Sequence, residues 1–452
     1  MKIKSGEDGR SDFSALAMAE VLSFAFLLPI VLVGSCAAWL SYGAVFGAHR
    51  ALWLEWVASS PLWWLKKPLL SWSLLGLLQL GIRTALWLSY RPYSSLDKGA
   101  APSLSVIIPA YNEGRGVADS IESVAMAKYP EGRLEIVVID DGSLDDTWTH
   151  IEKTAARFPT VVRSMRLEKN RGKREALYAG FRRANGEILV TIDSDSIIDK
   201  QALLAIAGAF RDARIGAVAG KVSVRNLNGG TLPKMLQSYF LRSFDFIRAA
   251  QSTYRTVQCC PGALSAYRGQ ALRKVLNRWR HQTFLGGPPP PGEDRALTNF
   301  ILEAGYDSVY QRLAVVHTIV PQTYGRLCKM YTRWNRGFFC EEFRLACLLW
   351  KRPLLSRWMT FWDMVITNVQ YPLSYLTLVC CALIIPRHPE VFLWLLMGIG
   401  GVSILNMLYC FVLEPSWRCL FSVAYDYYAF FFLWWIFPYS FFTMRSRAWG
   451  TR

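Results

Sequence analysis

Long apolar stretches place the strongest constraint on how this chain folds. Residues Val21–Leu40 carry no charge, and Leu69–Tyr90 carries only Arg83. Three further blocks are largely apolar: Phe361–Ile385, Val391–Leu413 and Leu420–Met444. A helix of about 20 residues crosses a bilayer, so each stretch is long enough to span one. The sequence therefore predicts two transmembrane helices within residues 1–92 and a C-terminal transmembrane bundle over residues 359–452.

The number of crossings meets a difficulty at the end of the sequence. Two helices before a cytosolic domain and three after it place the basic residues Arg445, Arg447 and Arg452 outside the cell. Basic segments favour the cytosolic side of a membrane. We therefore expect either that one apolar block is re-entrant or that a fourth crossing follows the domain. The expected location is the plasma or inner membrane, with several passes and with lipid as a partner.

The charge balance limits the class of partner. The chain has 51 Lys and Arg against 34 Asp and Glu, which gives a formal net charge of +17. Such an excess suits an anionic membrane surface or phosphate-bearing substrates. No nucleic-acid-binding motif accompanies the charge, so nucleic acid is not an expected partner.

Residues 93–322 have the pattern of an α/β domain. The β-rich runs Leu104–Pro109, Leu134–Ile139 and Ile188–Ile192 alternate with helical stretches. Strands that alternate with helices indicate a mainly parallel sheet. The predicted fold class is therefore α/β, with this cytosolic domain inserted between two preceding transmembrane helices and three or four following ones. Residues 323–358 mix arginine with aromatic side chains, which predicts amphipathic helices along the inner face of the membrane.

Acidic residues end two of the predicted strands. Asp140 and Asp141 end the second strand, and the third strand ends with Thr191–Ser196, which contains Asp193 and Asp195. Ligands of open α/β sheets bind at the carboxyl ends of strands. Strand alternation places Asp193 and Asp195 on one side, where their carboxylates can hold Mg²⁺ or Mn²⁺ together with a diphosphate. For Asp140 and Asp141, an ordinary helix-entry turn is an equal alternative.

A basic loop and an acidic helix start complete the candidate site. Arg171, Lys173 and Arg174 surround a glycine that opens a predicted helix, where cations and N–H groups complement a diphosphate. A solvated basic surface is the simpler explanation of Arg171 and Arg174. Asp294 opens a later helix, and capping is the ordinary role of a carboxylate there. Among these motifs we favour Asp294 as a general base.

Five strings in this order resemble the processive family 2 glycosyltransferases, which include cellulose, chitin and hyaluronan synthases. The strings are Thr191–Asp195, Gly262–Tyr267, Gly292–Asn299, Arg333–Phe339 and Trp449–Arg452. The similarity runs from about Leu104 to the C-terminus, and it is greatest to hyaluronan synthases, followed by the nodulation chitin-oligosaccharide synthases. It implies a GT-A-like domain, a UDP-sugar donor and a growing polysaccharide as acceptor.

The resemblance implies roles for the residues on the donor side. Asp140 or Asp141 would contact uridine, and Lys173 would contact the nucleotide. Asp193 and Asp195 would contact the nucleotide and the metal ion, with Mg²⁺ or Mn²⁺ as the cofactor.

The resemblance also implies the chemistry. Asp294 would deprotonate the acceptor hydroxyl, Arg333 would bind the diphosphate, and Trp334 would help to close the site and stack on the acceptor sugar. A cation beside the diphosphate stabilises the charge that develops as it leaves. The implied reaction inverts the anomeric centre, so that an α-linked donor gives a β-linked product that is passed across the membrane.

Two positions depart from the family pattern. Met330 stands where the family has Gln in Gln-x-x-Arg-Trp, and Met lacks the hydrogen bonds of an amide. Glu293 stands where hyaluronan synthases usually have Asp. We favour hyaluronan as the product, made from UDP-GlcNAc and UDP-GlcUA, and keep three alternatives: a chitin-like or other homopolymer, a single transfer to a lipid carrier, and an inactive scaffold. A partner subunit is compatible with each.

Overall fold

The computed structural model describes residues 66–446. The predicted crossing Val21–Leu40 and the string Trp449–Arg452 lie outside the described residues. The described chain divides into two compact units, one of residues 79–365 with 429–446 and the other of residues 66–78 with 366–428. The first unit contains the α/β domain, and the domain boundaries predicted at residues 92, 322 and 358 stay predictions.

An eight-stranded mixed sheet forms the centre of the first unit. Its strands are β1 (Leu104–Ala110), β2 (Leu134–Asp140), β3 (Val162–Arg166), β4 (Ile188–Thr191), β5 (Ile197–Ile198), β6 (Ile215–Val224), β7 (Ser265–Arg268) and β8 (Asp307–Thr318). They lie in the order β3-β2-β1-β4-β7-β6-β8-β5. Strands β1 to β4 pair in parallel, whereas β7 runs antiparallel to β4 and β6. The predicted α/β class is confirmed.

Helices precede, connect and follow these strands along the chain. In chain order they are α1 (Lys66–Ser89), α2 (Gly116–Ala125), α3 (Thr147–Arg157), α4 (Lys173–Arg183), α5 (Ala202–Gly208), α6 (Thr231–Leu241), α7 (Ala249–Thr253), α8 (Gly269–Arg280), α9 (Glu293–Glu303), α10 (Tyr324–Leu348), α11 (Leu354–Ile384), α12 (Glu390–Leu413), α13 (Leu420–Tyr428) and α14 (Ile436–Phe442). A π-helical turn, Arg242–Arg248, joins α6 to α7.

The position of β1 explains where a ligand can bind. All seven residues of β1 are buried, because β2 and β4 flank this strand. Ala110 pairs with Asp140 at the ends of β1 and β2, and Ile107 pairs with Thr191 at the end of β4. The chain leaves β1 toward β2 on one side and returns through β4 on the other, and open sheets bind ligands at the carboxyl side of such a switch point.

The apolar helices agree in part with the predicted crossings. Among the described residues, α12 is long and apolar enough to span a membrane, and Trp417–Leu433 taken together with Ile436–Phe442 is a second candidate. Helix α1 covers most of the predicted crossing Leu69–Tyr90 but is not among these candidates. The break within the last predicted block, Leu420–Met444, is compatible with a re-entrant segment. The number of crossings stays a prediction.

Glu303, in the last turn of α9, connects three parts of the domain. Its carboxylate accepts hydrogen bonds from Arg278 of α8 (2.9 Å), Arg344 of α10 (2.6 Å) and Lys351 (3.2 Å). Burial raises its pKa, but the hydrogen bonds from Arg278 and Arg344 and the charge of Arg344 outweigh burial and lower the pKa to about 2. Glu303 therefore stabilises the packing of α8, α9 and α10 in its ionised form.

We expect Glu303→Gln to lower the stability of the domain in a pH-dependent way. The folded-state pKa lies below the ordinary value of 4.5, so the stabilisation is complete above about pH 4.5 and is lost as the pH falls toward 2. The free energy of unfolding should drop by about 1–3 kcal/mol at neutral pH. The melting temperatures of the parent protein and of Glu303→Gln, measured in detergent from pH 7.5 to pH 3, test this expectation. A difference between the two melting temperatures that did not shrink in acid would contradict it.

Candidate active site

A cavity of about 410 Å³ lies at the carboxyl ends of β1, β2 and β4. It brings together five of the predicted site residues: Asp141, Lys173, Asp193, Asp195 and Arg333. Residues from the end of β1, Pro109 and Ala110, form part of its wall. The cavity therefore occupies the switch point of the sheet, where a nucleotide is expected to bind.

The adjacent aspartates at the end of β2 have different environments. Asp140 is fully buried, accepts the backbone N–H of Ser143 (3.1 Å) and lies 3.2 Å from the Arg166 guanidinium. Asp141 lines the cavity and accepts the N–H groups of Arg171 (2.9 Å) and Gly172 (2.8 Å). Burial raises the pKa of Asp141, although these two N–H groups oppose the shift. Of the predicted pair, Asp141 is thus the residue that lines the cavity.

Gly142 allows this turn to pack against the basic loop. Its φ of +72° is a conformation that favours glycine. A Cβ atom at this position would lie 2.5 Å from the carbonyl carbon of Lys169. The close approach of the two backbones is what lets the N–H groups of the basic loop reach Asp141.

Asp193 and Asp195 lie in a turn and not in a strand. The sequence pattern extended the strand through both residues, but β4 ends at Thr191. Asp193 forms an ion pair with Lys173, the first residue of α4. Burial lowers the pKa of Lys173, but the Asp193 carboxylate outweighs burial and raises it, so the ammonium group stays charged. Asp195 accepts the hydroxyl of Thr318 at the end of β8 (3.4 Å).

The donor set at this turn fits a hard divalent cation only in part. Among residues 66–446, no three His, Cys, Asp or Glu side chains gather closely enough to hold a metal ion by themselves. Asp193 and Asp195 both face the cavity and offer carboxylate oxygens. Mg²⁺ usually binds one or two carboxylates and completes its shell with phosphate and water. The arrangement therefore suits an ion that binds together with a diphosphate.

Asp294, in the first turn of α9, is connected to the cavity through Gly262. Its Oδ2 atom accepts the N–H of Gly262 (3.1 Å), and the Cys259 thiol lies 3.7 Å from the same oxygen. A Cβ atom on Gly262 would lie 3.0 Å from Lys173 Nζ and 3.3 Å from Asp193 Oδ1. Gly262 thus stands between the predicted base and the predicted donor site. The role of Asp294 as base stays a prediction.

One face of α10 closes the cavity. Arg326, Met330 and Arg333 lie four and three residues apart on this helix and all line the cavity, as helical spacing requires. Trp334 is not among the lining residues; its side chain is 38% exposed and packs edge-on against Tyr331. Arg333 therefore lines the cavity, whereas Trp334 lies outside its lining.

Sequence reasoning missed some residues of the site. Arg174 was expected on a solvated surface, but it donates to the Trp279 carbonyl (2.6 Å) and to Gln282 Oε1 (3.1 Å). From the sequence, Gly262 was named only as the first residue of the string Gly262–Tyr267. Its contribution to the site is that it has no side chain to crowd Lys173 and Asp193. Arg326 also lines the cavity, and its position seven residues before Arg333 on the same helix is the signal that could have identified it. Arg174 and Gly262 contact partners that are distant in sequence, and such contacts leave no local pattern.

The two helices that carry Asp294 and Arg333 pack closely at Gly337. A Cβ atom on Gly337 would lie 2.4 Å from the Pro291 carbonyl oxygen and 3.2 Å from Gly292 Cα. Further along both helices, Glu342 pairs with Arg295, and Asn299 Nδ2 donates to buried Glu341 (2.9 Å). These contacts fix the distance between α9 and α10, and hence between the two predicted catalytic motifs.

Comparisons with known proteins agree with this geometry. Residues 105–276 match the model of the glycosyl transferase family 2. The N-acetylglucosaminyltransferase of Azorhizobium caulinodans is 33% identical over 265 residues, which cover 58% of this chain and 65% of that protein. The corresponding enzyme of Rhizobium meliloti is 34% identical over 250 residues, 55% of this chain and 58% of that protein. The chain thus aligns with less than two thirds of each N-acetylglucosaminyltransferase.

A third relative and one solved structure extend the comparison. The hyaluronan synthase of Streptococcus pyogenes is 32% identical over 285 residues, which cover 62% of this chain and 67% of that protein. A mannosyltransferase from Pyrobaculum calidifontis, solved with GDP-Man and Mn²⁺, superposes with a TM-score of 0.57 at 18% identity over 79% of this chain and 98% of that one. This likeness supports the predicted GT-A-like fold.

We expect Gly337→Ala to impair the site without unfolding the domain. The added methyl group has no room beside Pro291 and Gly292, so α10 must move away from α9. Turnover should fall at least about tenfold, since small displacements of catalytic groups carry large losses. Gly325→Ala is the matched control, because it lies in the same helix with nothing within 4 Å of the added atom. Equal turnover of the two variants would contradict the expected strain.

Proposed function

The chain belongs to the family 2 glycosyltransferases, and we propose that it extends a β-linked polysaccharide processively from UDP-sugars and translocates the product across a membrane. One observation carries the proposal. Lys173, Asp193 and Arg333 converge on one cavity at the switch point of the sheet, and Asp294 is held beside them through Gly262. Such a site offers positively charged side chains for a leaving diphosphate. It also offers, apart from them, the Asp294 carboxylate as a base.

The donor side binds the nucleotide and its diphosphate. Asp141 faces the cavity and would contact uridine, while Lys173 and Arg333 supply positive charge for the diphosphate. Asp193 and Asp195 would hold Mg²⁺ or Mn²⁺, which adds positive charge beside the diphosphate when it is bound. Mn²⁺ in the archaeal mannosyltransferase of this fold is in line with that assignment. Cations placed beforehand around the leaving group stabilise the charge that develops on it.

The acceptor side removes a proton. The Asp294 carboxylate would take the proton of the acceptor hydroxyl. The hydroxyl oxygen attacks the anomeric carbon of the donor sugar as the bond from that carbon to the diphosphate breaks. Attack from the face opposite the leaving group inverts the anomeric centre and gives a β-linkage. The N–H of Gly262 holds Asp294 Oδ2, so the carboxylate keeps its orientation while it accepts the proton. The exposed Trp334 ring is available to stack on the acceptor sugar.

Two products fit the same donor site. Hyaluronan is our first candidate, and the relative from Streptococcus pyogenes supports it. The N-acetylglucosaminyltransferases are as similar to this chain and favour a chitin-like homopolymer as the second. Met330, which lines the cavity where the family pattern has Gln, changes contacts near the substrates and bears on this choice.

We place the protein in the plasma or inner membrane, and its apolar helices support a location in a membrane. Helix α12 supports a spanning segment by length and composition. Helix α10 carries basic and aromatic side chains together, among them Arg326 and Phe343, which suits an anionic lipid surface beside the site. We place the catalytic domain in the cytosol, where UDP-sugars are made, with the growing polymer leaving through the transmembrane helices.

Purified protein incubated with UDP-GlcNAc and UDP-GlcUA, singly and together, tests the proposal. Polymer that forms only with both donors and is cut by a hyaluronan-specific hydrolase supports hyaluronan. Polymer from UDP-GlcNAc alone that is cut by a chitinase supports the homopolymer, and a single sugar on a lipid supports a non-processive enzyme. No UDP release from these or other UDP-sugars with Mg²⁺ or Mn²⁺, in a well-folded preparation, would overturn the enzyme assignment.

Asp294→Asn should separate catalysis from donor binding. The amide oxygen can still accept the N–H of Gly262, but the side chain can no longer take a proton. We expect turnover to fall by about 10²–10⁴-fold, the range for a lost general base, while the Kd for UDP measured by calorimetry changes less than twofold. Asp195→Asn is the contrasting control and should weaken metal-dependent UDP binding. Weak UDP binding by Asp294→Asn would count against its role as the base.

A further inference from the structure

A buried carboxylate outside the cavity receives hydrogen bonds from several elements. Asp363 of α11 has only 9% of its side chain exposed. Arg83 of α1 donates to Oδ1 from Nε (2.8 Å) and Nη2 (2.6 Å), and Gln79 donates to the same oxygen (3.3 Å). Gln251 and Gln258 donate to Oδ2 at 3.1 Å, and the Tyr254 hydroxyl lies 3.4 Å away. We call Asp363 and these five residues the Asp363 cluster.

The chemistry of the cluster requires a carboxylate. Every neighbour named above presents a hydrogen, so both oxygens of Asp363 act only as acceptors. An ionised carboxylate has about four acceptor positions and no donor, which matches this arrangement. An amide in its place would turn an N–H group toward other N–H groups on one side. Of these donors only Arg83 is charged, so Arg83 and Asp363 also neutralise each other.

Gln258 connects the cluster to the residues around Asp294. It begins the segment Gln258–Gly262, in which Gln258 contacts the cluster and later residues contact α9. The Cys260 N–H donates to Thr298 Oγ1 of α9 (3.0 Å), and the Gly262 N–H donates to Asp294 (3.1 Å). The Cys259 carbonyl accepts Arg248 Nε (3.0 Å). The segment is therefore held at one end by Asp363 and at the other by the carboxylate of Asp294.

We propose that Asp363 is a positioning residue for glycosyl transfer, which holds Gln258–Gly262 so that the Gly262 N–H orients the Asp294 carboxylate. The inference rests on the proposed role of Asp294 as the base. Asp363 does not line the nucleotide cavity, so its loss should affect proton removal and not donor binding. Through Arg83 and Gln79 the same carboxylate also connects the site to α1, the helix that precedes the domain.

A pair of matched variants tests the connection. Gln258→Leu and Gln79→Leu each remove one amide donor from Asp363, but only Gln258 belongs to the segment that reaches Asp294. We expect turnover of Gln258→Leu to fall about tenfold with an unchanged Kd for UDP, and the acid limb of its pH–rate profile to move. Turnover of Gln79→Leu should stay within about twofold of the parent protein. Equal behaviour of the two variants would overturn the proposal.

Asp363→Asn removes the carboxylate that all five donors of the cluster share. Glu303→Gln is the control variant that shows the effect of a general loss of stability. Glu303 also has several charged partners, but it lies at the opposite end of α9 from Asp294. Asp363→Asn should lower turnover and leave the Kd for UDP unchanged. Glu303→Gln should lower the melting temperature without moving the pH–rate profile. Loss of turnover that follows melting temperature in both variants would show that Asp363 only stabilises the fold.

A second measurement does not depend on catalysis. Burial raises the pKa of the Cys259 thiol to about 12, so the thiol reacts slowly while the segment is held in place. Maleimide labelling of Cys259, followed by mass spectrometry, should accelerate about tenfold in Asp363→Asn and Gln258→Leu and not in Gln79→Leu. Unchanged labelling in the first two variants would overturn the proposed positioning. Absence of UDP release by the parent protein would instead refute the function on which the proposal rests.

Discussion

The hydrogen bond from Gly262 to Asp294 is the contact on which the candidate site depends. It joins the segment before β7 to the first turn of α9, at a point where Lys173 and Asp193 lie only a few ångströms away. A Cβ atom on Gly262 would lie 3.0 Å from Lys173 Nζ and 3.3 Å from Asp193 Oδ1, so the backbone of Gly262 stands between these groups and Asp294. A rigid backbone donor keeps a carboxylate oriented at little entropic cost, because it has no rotamers to lose.

The junction of α9 with α10 places the second half of the site. Gly337 lets the two helices approach each other. Two buried carboxylates of α10 then bind side chains of α9: Glu341 accepts a hydrogen bond from the Asn299 amide, and Glu342 pairs with Arg295. Buried charges are tolerated only where partners satisfy them, and removing one partner is costly. Arg333 therefore stands at a fixed place beside the cavity although it belongs to a helix outside the sheet.

Much of the donor site could be predicted from local sequence. The order of strand, acidic turn and basic helix start indicated the residues that line the cavity, because parallel strands bring their carboxyl ends to one edge. The distinction between Asp140 and Asp141 could not be predicted, since it depends on Arg166 and on the loop at Gly172, which are distant in sequence. For the same reason Arg174 was wrongly expected on a solvated surface.

The sequence by itself determined the α/β class, the residues of the acidic and basic motifs, and the presence of long apolar stretches, because periodicity and composition are local properties. Tertiary structure alone decided that Gly262 lies between Asp193 and Asp294, that Gly337 admits a second helix, and that Asp363 gathers donors from three parts of the chain. Each of these depends on which distant backbones approach one another. Such approaches are fixed by packing of the whole domain, and no short stretch of sequence encodes them.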